Sequence, residues 1–177
     1  MEKFRIDNME FIIRESTKTD AKALIDYLDK IAGETDYLTF GVGEMKISLE
    51  QEEMFLENSL NQQNALMALV LHDDNVIGCV SLTGGTKPRL RHAGELGISI
   101  LEPYWGKGIG EKMIDYLVNW SKKTGVIRKI NLKVRTDNVR GLNLYKKKGF
   151  IVEGTVCRDM LIDDKFYDSI IMGMLID

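Results

Sequence analysis

Cysteine, proline and histidine are scarce in this chain of 177 residues, and long apolar runs are missing altogether. The two cysteines, Cys79 and Cys157, lie in apolar, strand-like runs, with no histidine close by and no Cys-x-x-Cys pair. That pattern weighs against a disulfide framework or a catalytic thiol and reads as two buried, reduced thiols of a cytosolic protein. No stretch approaches the roughly 18 uncharged apolar residues that a membrane-spanning helix needs. Met1 to Glu10 carries Glu2, Lys3, Arg5, Asp7 and Glu10 and no apolar run, which excludes a secretory leader there. His72 and His92 stand alone at strand ends without metal-ligand spacing, so no metal is expected. A net charge of −3 supplies no basic surplus, so neither nucleic acid nor a membrane surface is an expected partner. The expected compartment is the cytoplasm.

Only Pro88 and Pro103 interrupt the chain, and no Ser/Gly-rich linker or internal repeat divides it. The organisation expected is an N-terminal extension over 1–10 and a single domain over 11–177. With 44% hydrophobic residues, a domain of this size can bury a core without a structural metal or disulfide.

Apolar periodicity supplies the elements. Phe11 to Glu15 reads as a strand, and Ala23, Leu24, Tyr27, Leu28 and Ile31 recur at helical spacing before Gly33. Residues 34–47 are loop-like. Ser48 followed by Gln51 is a capping-box pattern opening an acidic helix to about Asn61. Two β-rich runs, Ala65 to His72 and Val76 to Thr83, flank Asp73-Asp74-Asn75 as a hairpin, and another strand covers about His92 to Leu101. Ile109, Met113, Leu117 and Trp120 mark one face of a strong helix that Gly125 ends. Ile130, Leu132 and Val134 alternate as a strand with Asn131, Lys133 and Arg135 between them. Asn138 to Lys148 then reads as a helix, and a last hairpin turns at Asp163-Asp164-Lys165. The order β α α β β β α β α β β implies a mixed sheet with helices on both faces.

Trp105-Gly106-Lys107-Gly108-Ile109-Gly110 lies between a strand and a helix. Closely spaced glycines let the backbone turn sharply and approach a ligand, and the helix start behind them offers free N–H groups to a pyrophosphate. The cluster matches neither the dinucleotide fingerprint nor a P-loop, so alone it also fits a plain turn. Downstream, Asn138 and Tyr145 stand two helical turns apart, nearly on one face. Tyr145 belongs to the run Leu144-Tyr145-Lys146-Lys147-Lys148-Gly149-Phe150.

These two units together resemble the GNAT superfamily of N-acetyltransferases. That family shows Arg/Gln-x-x-Gly-x-Gly/Ala at a pyrophosphate loop, then Asn and Leu-Tyr-x-Lys-x-Gly-Phe in the next unit. The resemblance runs from residue 11 to the end and departs at Trp105, where Arg or Gln is usual. It implies a mixed α/β fold with a mostly antiparallel sheet of about seven strands and helices on both faces. It also implies acetyl-CoA as co-substrate and an amine-bearing acceptor, in a chain that acts alone or as a homodimer. By the same resemblance the backbone of Ile98, Ser99 and Ile100 would pair with the pantetheine arm. Trp105, Gly106, Lys107, Gly108, Ile109 and Gly110 would form the pyrophosphate loop, and Asn138 would bond near the thioester. Lys147, in a basic stretch with Arg135, Arg140, Lys146 and Lys148, either belongs to a solvated face or meets the 3′-phosphate of CoA. Tyr145 would protonate the departing thiolate, although a packed helix aromatic is its plain alternative.

A free thiol titrates at about 8.5, so the leaving sulfur profits from a nearby hydroxyl donor. An alkyl amine titrates at about 10.4 and must shed a proton to attack. Glu95, on the strand leading to the glycine loop, is the candidate base if a partly desolvated cleft raises its pKa; a water chain is the alternative. Asn138 and Tyr145 together favour an enzyme over a non-catalytic acyl-CoA sensor, which needs the cradle but not the donor. Acceptor choice should rest on 33–61 and the final hairpin. Glu34, Asp36, Glu44, Glu50, Glu52, Glu53 and Glu57 there either line a site for a cationic amine or solvate a helix.

Overall fold

The computed structural model describes all of residues 1–177. Strands β1 (Glu2–Ile6) and β2 (Met9–Glu15) are followed by helices α1 (Ala21–Ala32) and α2 (Leu49–Leu60). Then come β3 (Ala65–His72), β4 (Asn75–Gly84), β5 (Ala93–Ile100), α3 (Ile109–Thr124), β6 (Lys129–Arg135), α4 (Val139–Lys147), β7 (Ile151–Ile162) and β8 (Lys165–Leu175). One eight-stranded sheet runs in the order β1-β2-β3-β4-β5-β6-β8-β7. Every pairing is antiparallel except β5 with β6.

The mostly antiparallel sheet is the one expected, with eight strands for the anticipated seven or so. Residues 1–10, expected as an extension, form β1, the turn after it and the start of β2. Phe4 and Ile6 alternate with Lys3 and Arg5, a two-residue period that the high local charge obscured. Phe4 stacks on Phe11 at 5.4 Å, while Lys3 and Arg5 pair with Glu10 on the opposite strand. Three hairpins turn on two residues that both take positive φ: Asp7-Asn8, Asp73-Asp74 and Asp163-Asp164. Such turns match the right-handed twist of paired strands, and Asp and Asn tolerate the left-handed conformation better than other side chains.

The core follows the predicted faces. Leu24, Tyr27 and Ile31 of α1 are buried on one side of the sheet, and Ile109, Met113, Ile114 and Leu117 of α3 on the other. The two sides are fixed at paired residues. Tyr27 bonds to Ser99, whereas a side chain at Gly78 would touch Met113. Each such fully buried aliphatic side chain contributes about 1.5–3 kcal/mol. Helix α2 begins with the anticipated capping box: Ser48 Oγ accepts from the Gln51 N–H at 3.2 Å, and Gln51 Oε1 accepts from the Ser48 N–H at 2.9 Å. Cys79 is buried, but Cys157 is exposed, because β7 breaks register between Val156 and Met160 and Arg158 there takes φ 53°.

Candidate active site

Strands β5 and β6 pair only over Ala93–Glu95 with Lys129–Asn131, then separate. The opening lies toward the C-terminal ends of both strands, flanked by the glycine loop after β5 and the start of α4 after β6. The Leu101 N–H bonds the Ile77 carbonyl at 3.0 Å. By the alternation of an antiparallel ladder, Ser99 therefore also turns its backbone toward β4, while Ile98 and Ile100 turn theirs toward the gap. Ser99 thus departs from its expected backbone role. Its side chain instead meets the Tyr27 hydroxyl at 2.8 Å and the Cys79 sulfur at 3.5 Å, on the α1 face. Burial pushes both the Tyr27 hydroxyl and the Cys79 thiol upward, so both remain protonated, neutral groups.

Trp105 has a local task that its motif position does not reveal. Its indole N–H donates to the Ile100 carbonyl at 2.5 Å, so that carbonyl is already occupied. Its ring lies under the Arg140 guanidinium at 4.6 Å, a cation–π contact that brings a cation from α4 to the loop. Gly106 (φ 74°) and Gly108 (φ 82°) need the left-handed conformation, and the space beside each is open. Ile109 and Gly110 are buried at the start of α3, and Lys107 is partly exposed. Gly110 serves packing: a Cβ there would stand 2.9 Å from Leu144 of α4. Lys147, exposed on α4, pairs its ammonium with Glu111 at 2.6 Å.

Asn138 is the N-cap of α4, with Oδ1 accepting from the Gly141 N–H at 2.9 Å, which leaves its Nδ2 donors free. A side chain at position 141 would collide with that cap, which accounts for the glycine. Tyr145 is 8% exposed, packs edge-on against Phe150 at 5.8 Å, and has no hydrogen-bond partner for its hydroxyl. Burial pushes its pKa up to about 12, so at neutral pH it carries its proton. Glu95 is exposed on β5, on the face it shares with Ser99. The desolvated cleft expected around it is not present, because Thr83 beside it is exposed as well.

Three features escaped the reading of the sequence. Arg135 ends β6 buried rather than on a polar face. It chelates Asp137 at 3.0 and 2.6 Å, donates to the Asp36 carbonyl at 2.8 Å, and lies between the rings of Tyr37 and Tyr167. The Glu34 carboxylate accepts from the Glu102 N–H at 2.7 Å. Residues 34–37 therefore form a strap across the mouth of the split, tied to the β5 side by Glu34 and to the β6 side by Asp36 and Tyr37. The third feature is Glu52, buried on α2. None carries a motif, since each depends on partners far away in sequence.

A parallel strand pair opening beside a glycine turn, with a tyrosine and an asparagine on the next helix, defines an acyltransferase of the N-acetyltransferase class. The chain belongs to the Acetyltransferase (GNAT) family, which it matches over residues 21–150. An acetyltransferase of that family from Streptococcus pneumoniae shares 31% identity and superposes with a TM-score of 0.91, over 94% of this chain and 99% of that one. The L-amino acid N-acetyltransferase of Escherichia coli is 24% identical over 73% of this chain and 80% of its own length. The spermidine N(1)-acetyltransferase of Vibrio cholerae is 28% identical over 67% and 68%. The protein is accordingly an enzyme that transfers acyl groups to amine acceptors. No helix is long and apolar enough to cross a membrane.

Proposed function

We propose that this enzyme, working in the cytoplasm, transfers the acetyl group of acetyl-CoA to a primary amine by direct attack, with both substrates bound together. The observation that carries this reading is the Tyr145 hydroxyl, buried, protonated and without a partner on the helix that borders the split. An acetyltransferase from Salmonella typhimurium with the same fold (16% identity, TM-score 0.82, 94% of each chain) has been seen with acetyl-CoA. The residues here fit that group. The gap-facing backbone of Ile98 and the free Ile100 N–H suit the pantetheine amides. The open left-handed turns at Gly106 and Gly108, with Lys107 and the N–H groups of Ile109 and Gly110, suit a pyrophosphate. Arg140, held on Trp105, adds a second cation beside Lys107.

When bound, acetyl-CoA supplies an activated acyl carbon and a thiolate leaving group. The free Nδ2 of Asn138 donates beside that carbon. Tyr145 gives its proton to the sulfur as the carbon–sulfur bond breaks, and regains one from the amine side. Glu95, exposed as it is, passes the amine proton to solvent, the route on which a water chain also ends.

The test is thermal unfolding with acetyl-CoA, free CoA or ATP, followed by thiol release with amines. Ligand at a hundredfold over its dissociation constant adds about 2.7 kcal/mol. A rise in melting temperature with the CoA compounds alone is expected. Tyr145→Phe should keep that rise and lose turnover by about a hundredfold. A shift with ATP alone, or full turnover in Tyr145→Phe, would refute the reading.

A further inference from the structure

Two charged side chains are buried in this protein, and only one of them has a partner. Arg135 is chelated by Asp137. Glu52, 4% exposed, joins no ion pair and accepts no hydrogen bond, and burial alone raises its pKa. Ser121 Oγ is the only sealed side-chain polar atom left without a bond. The Glu52 carboxylate is therefore not sealed and retains a narrow opening to solvent.

Its position links that opening to the site. Glu52, Leu56 and Ser59 form the buried face of α2, which packs against α1, the Lys18–Asp20 turn before it, and β3. On that face of the sheet Leu69 of β3, Cys79 of β4 and Ser99 of β5 stand in one cross-strand row, and Ser99 is bonded to Tyr27 of α1. Ser99 lies between Ile98 and Ile100, whose backbones border the split. Glu52 thus stands on the α1–α2 side of the strand whose free edge faces the gap. The fold alone does not account for it. An unpaired buried carboxylate costs stability, and an apolar side chain of similar size is often the more stable choice. The dipole of α2 already has the exposed Glu50 in its first turn.

We propose that Glu52 is the specificity-determining counter-ion for the acceptor, receiving the ammonium group of an alkyl amine on the α1–α2 side of β5. This rests on the acetyl-transfer reading and adds to it the charge of the acceptor and the residue that recognises it. At a carboxylate as buried as Glu52, the attraction to an ammonium is stronger than at the surface, where Glu44, Glu50 and Glu57 lie. An acceptor that is neutral at working pH gains nothing from Glu52.

The experiment uses CoA-saturated protein titrated with butylamine, 1,4-diaminobutane and alaninamide, beside the neutral butanol, and follows melting temperature and calorimetric heat. Wild-type protein should bind at least one of the amines and not butanol. Glu52→Gln, which keeps the shape, should weaken amine binding by about thirtyfold or more. Its affinity for acetyl-CoA should stay within about twofold, and Glu52→Asp should recover part of the amine affinity. The inference is overturned if no amine binds the wild type, or if Glu52→Gln binds amines within about twofold of it. Either result with the acetyl-CoA shift intact removes the counter-ion alone, whereas loss of that shift in the wild type removes the transfer reading beneath it. A fold defect in Glu52→Gln is separated by its melting temperature without ligand, which should equal or exceed that of the wild type at neutral pH.

Discussion

From Ile98 to Tyr145 the site is made of local turns, helix starts and strand edges, whereas the strap over residues 34–37 is held by side chains reaching 68 to 100 positions along the chain. The first region offers backbone: left-handed glycines, an N-cap, a strand edge without a neighbour. The second offers charge and rings: Glu34, Arg135 and Tyr37, with Glu52 buried on α2. Backbone geometry suits a co-substrate that every family member shares, because it tolerates change in the surrounding side chains. Side-chain contacts suit an acceptor that differs from one relative to the next, and the relatives named above do differ in their acceptors. The two regions should therefore fail separately when broken.

The largest effect is expected from breaking the backbone side. Gly108 holds φ 82° at the start of α3. Gly108→Val forces a β-branched side chain into a conformation it strongly disfavours, at about 1–2 kcal/mol of strain or more. The turn relaxes by rotating its N–H groups away from the pyrophosphate position. Acetyl-CoA affinity measured by calorimetry should fall by about a hundredfold, roughly the loss of two charge-assisted hydrogen bonds. Amine binding at Glu52 should persist. Unchanged acetyl-CoA affinity would remove the loop from the site.

This division also explains how much could be read from the sequence. The glycine turn, the helix over Ile109–Thr124 and the Asn138-to-Tyr145 spacing follow from neighbours in the chain, so their positions were legible. Gly125 ends α3 in the left-handed conformation, as a C-terminal glycine should. Strand β1 was hidden because Glu2, Lys3 and Arg5 make most of it charged, which masks the alternation of Phe4 and Ile6 with Lys3 and Arg5. Arg135 occupies an outward-facing phase of β6 by simple alternation. What buries it is the arrival of Asp36, Tyr37 and Tyr167, which no local pattern announces. Glu52 looked like one acid among several on a solvated helix. Only the packing of α2 shows that it shares the buried face with Leu56.

A smaller effect, on the other side, is expected from untying the strap. Arg135→Met removes the charged hydrogen bonds to Asp137 and Asp36, at a cost to stability of about 2 kcal/mol. The acceptor KM should rise by about tenfold while acetyl-CoA affinity is unchanged, since the strap touches the β5 side only through Glu34 and Glu102. The hydrogen bonds from Arg135 hold the Asp137 carboxyl below the ordinary carboxylate range. A carboxylate depressed in the folded state contributes stability above its unfolded value of about 3.9, and loses it as pH falls through the folded value. The stability gap between wild type and Arg135→Met should therefore be full at neutral pH and narrow below about pH 4. A gap that does not change with pH would mean that Arg135 acts only through its ring stacking.

The smallest effect tests a side chain within the first region, Trp105. The family pattern places a polar side chain there, and this protein places an indole that does two things: it bonds the Ile100 carbonyl and supports Arg140. Trp105→Phe keeps a ring beneath the guanidinium but removes the N–H. The Ile100 carbonyl then faces the gap unpaired, and one neutral hydrogen bond of about 1 kcal/mol is lost. The resulting disorder at the end of β5 should weaken acetyl-CoA binding by about fivefold, with the acceptor KM unmoved. Trp105→Ala removes the ring as well and frees Arg140 to solvent, so it should cost a further severalfold, of the order expected for an exposed cation–π contact. Calorimetric dissociation constants for the two variants separate the contributions. Equal losses in both would assign the whole effect to the N–H and leave Arg140 without a role. A loss in Trp105→Ala alone would assign it to the stacked guanidinium, making α4 rather than β5 the element through which this loop replaces the missing arginine.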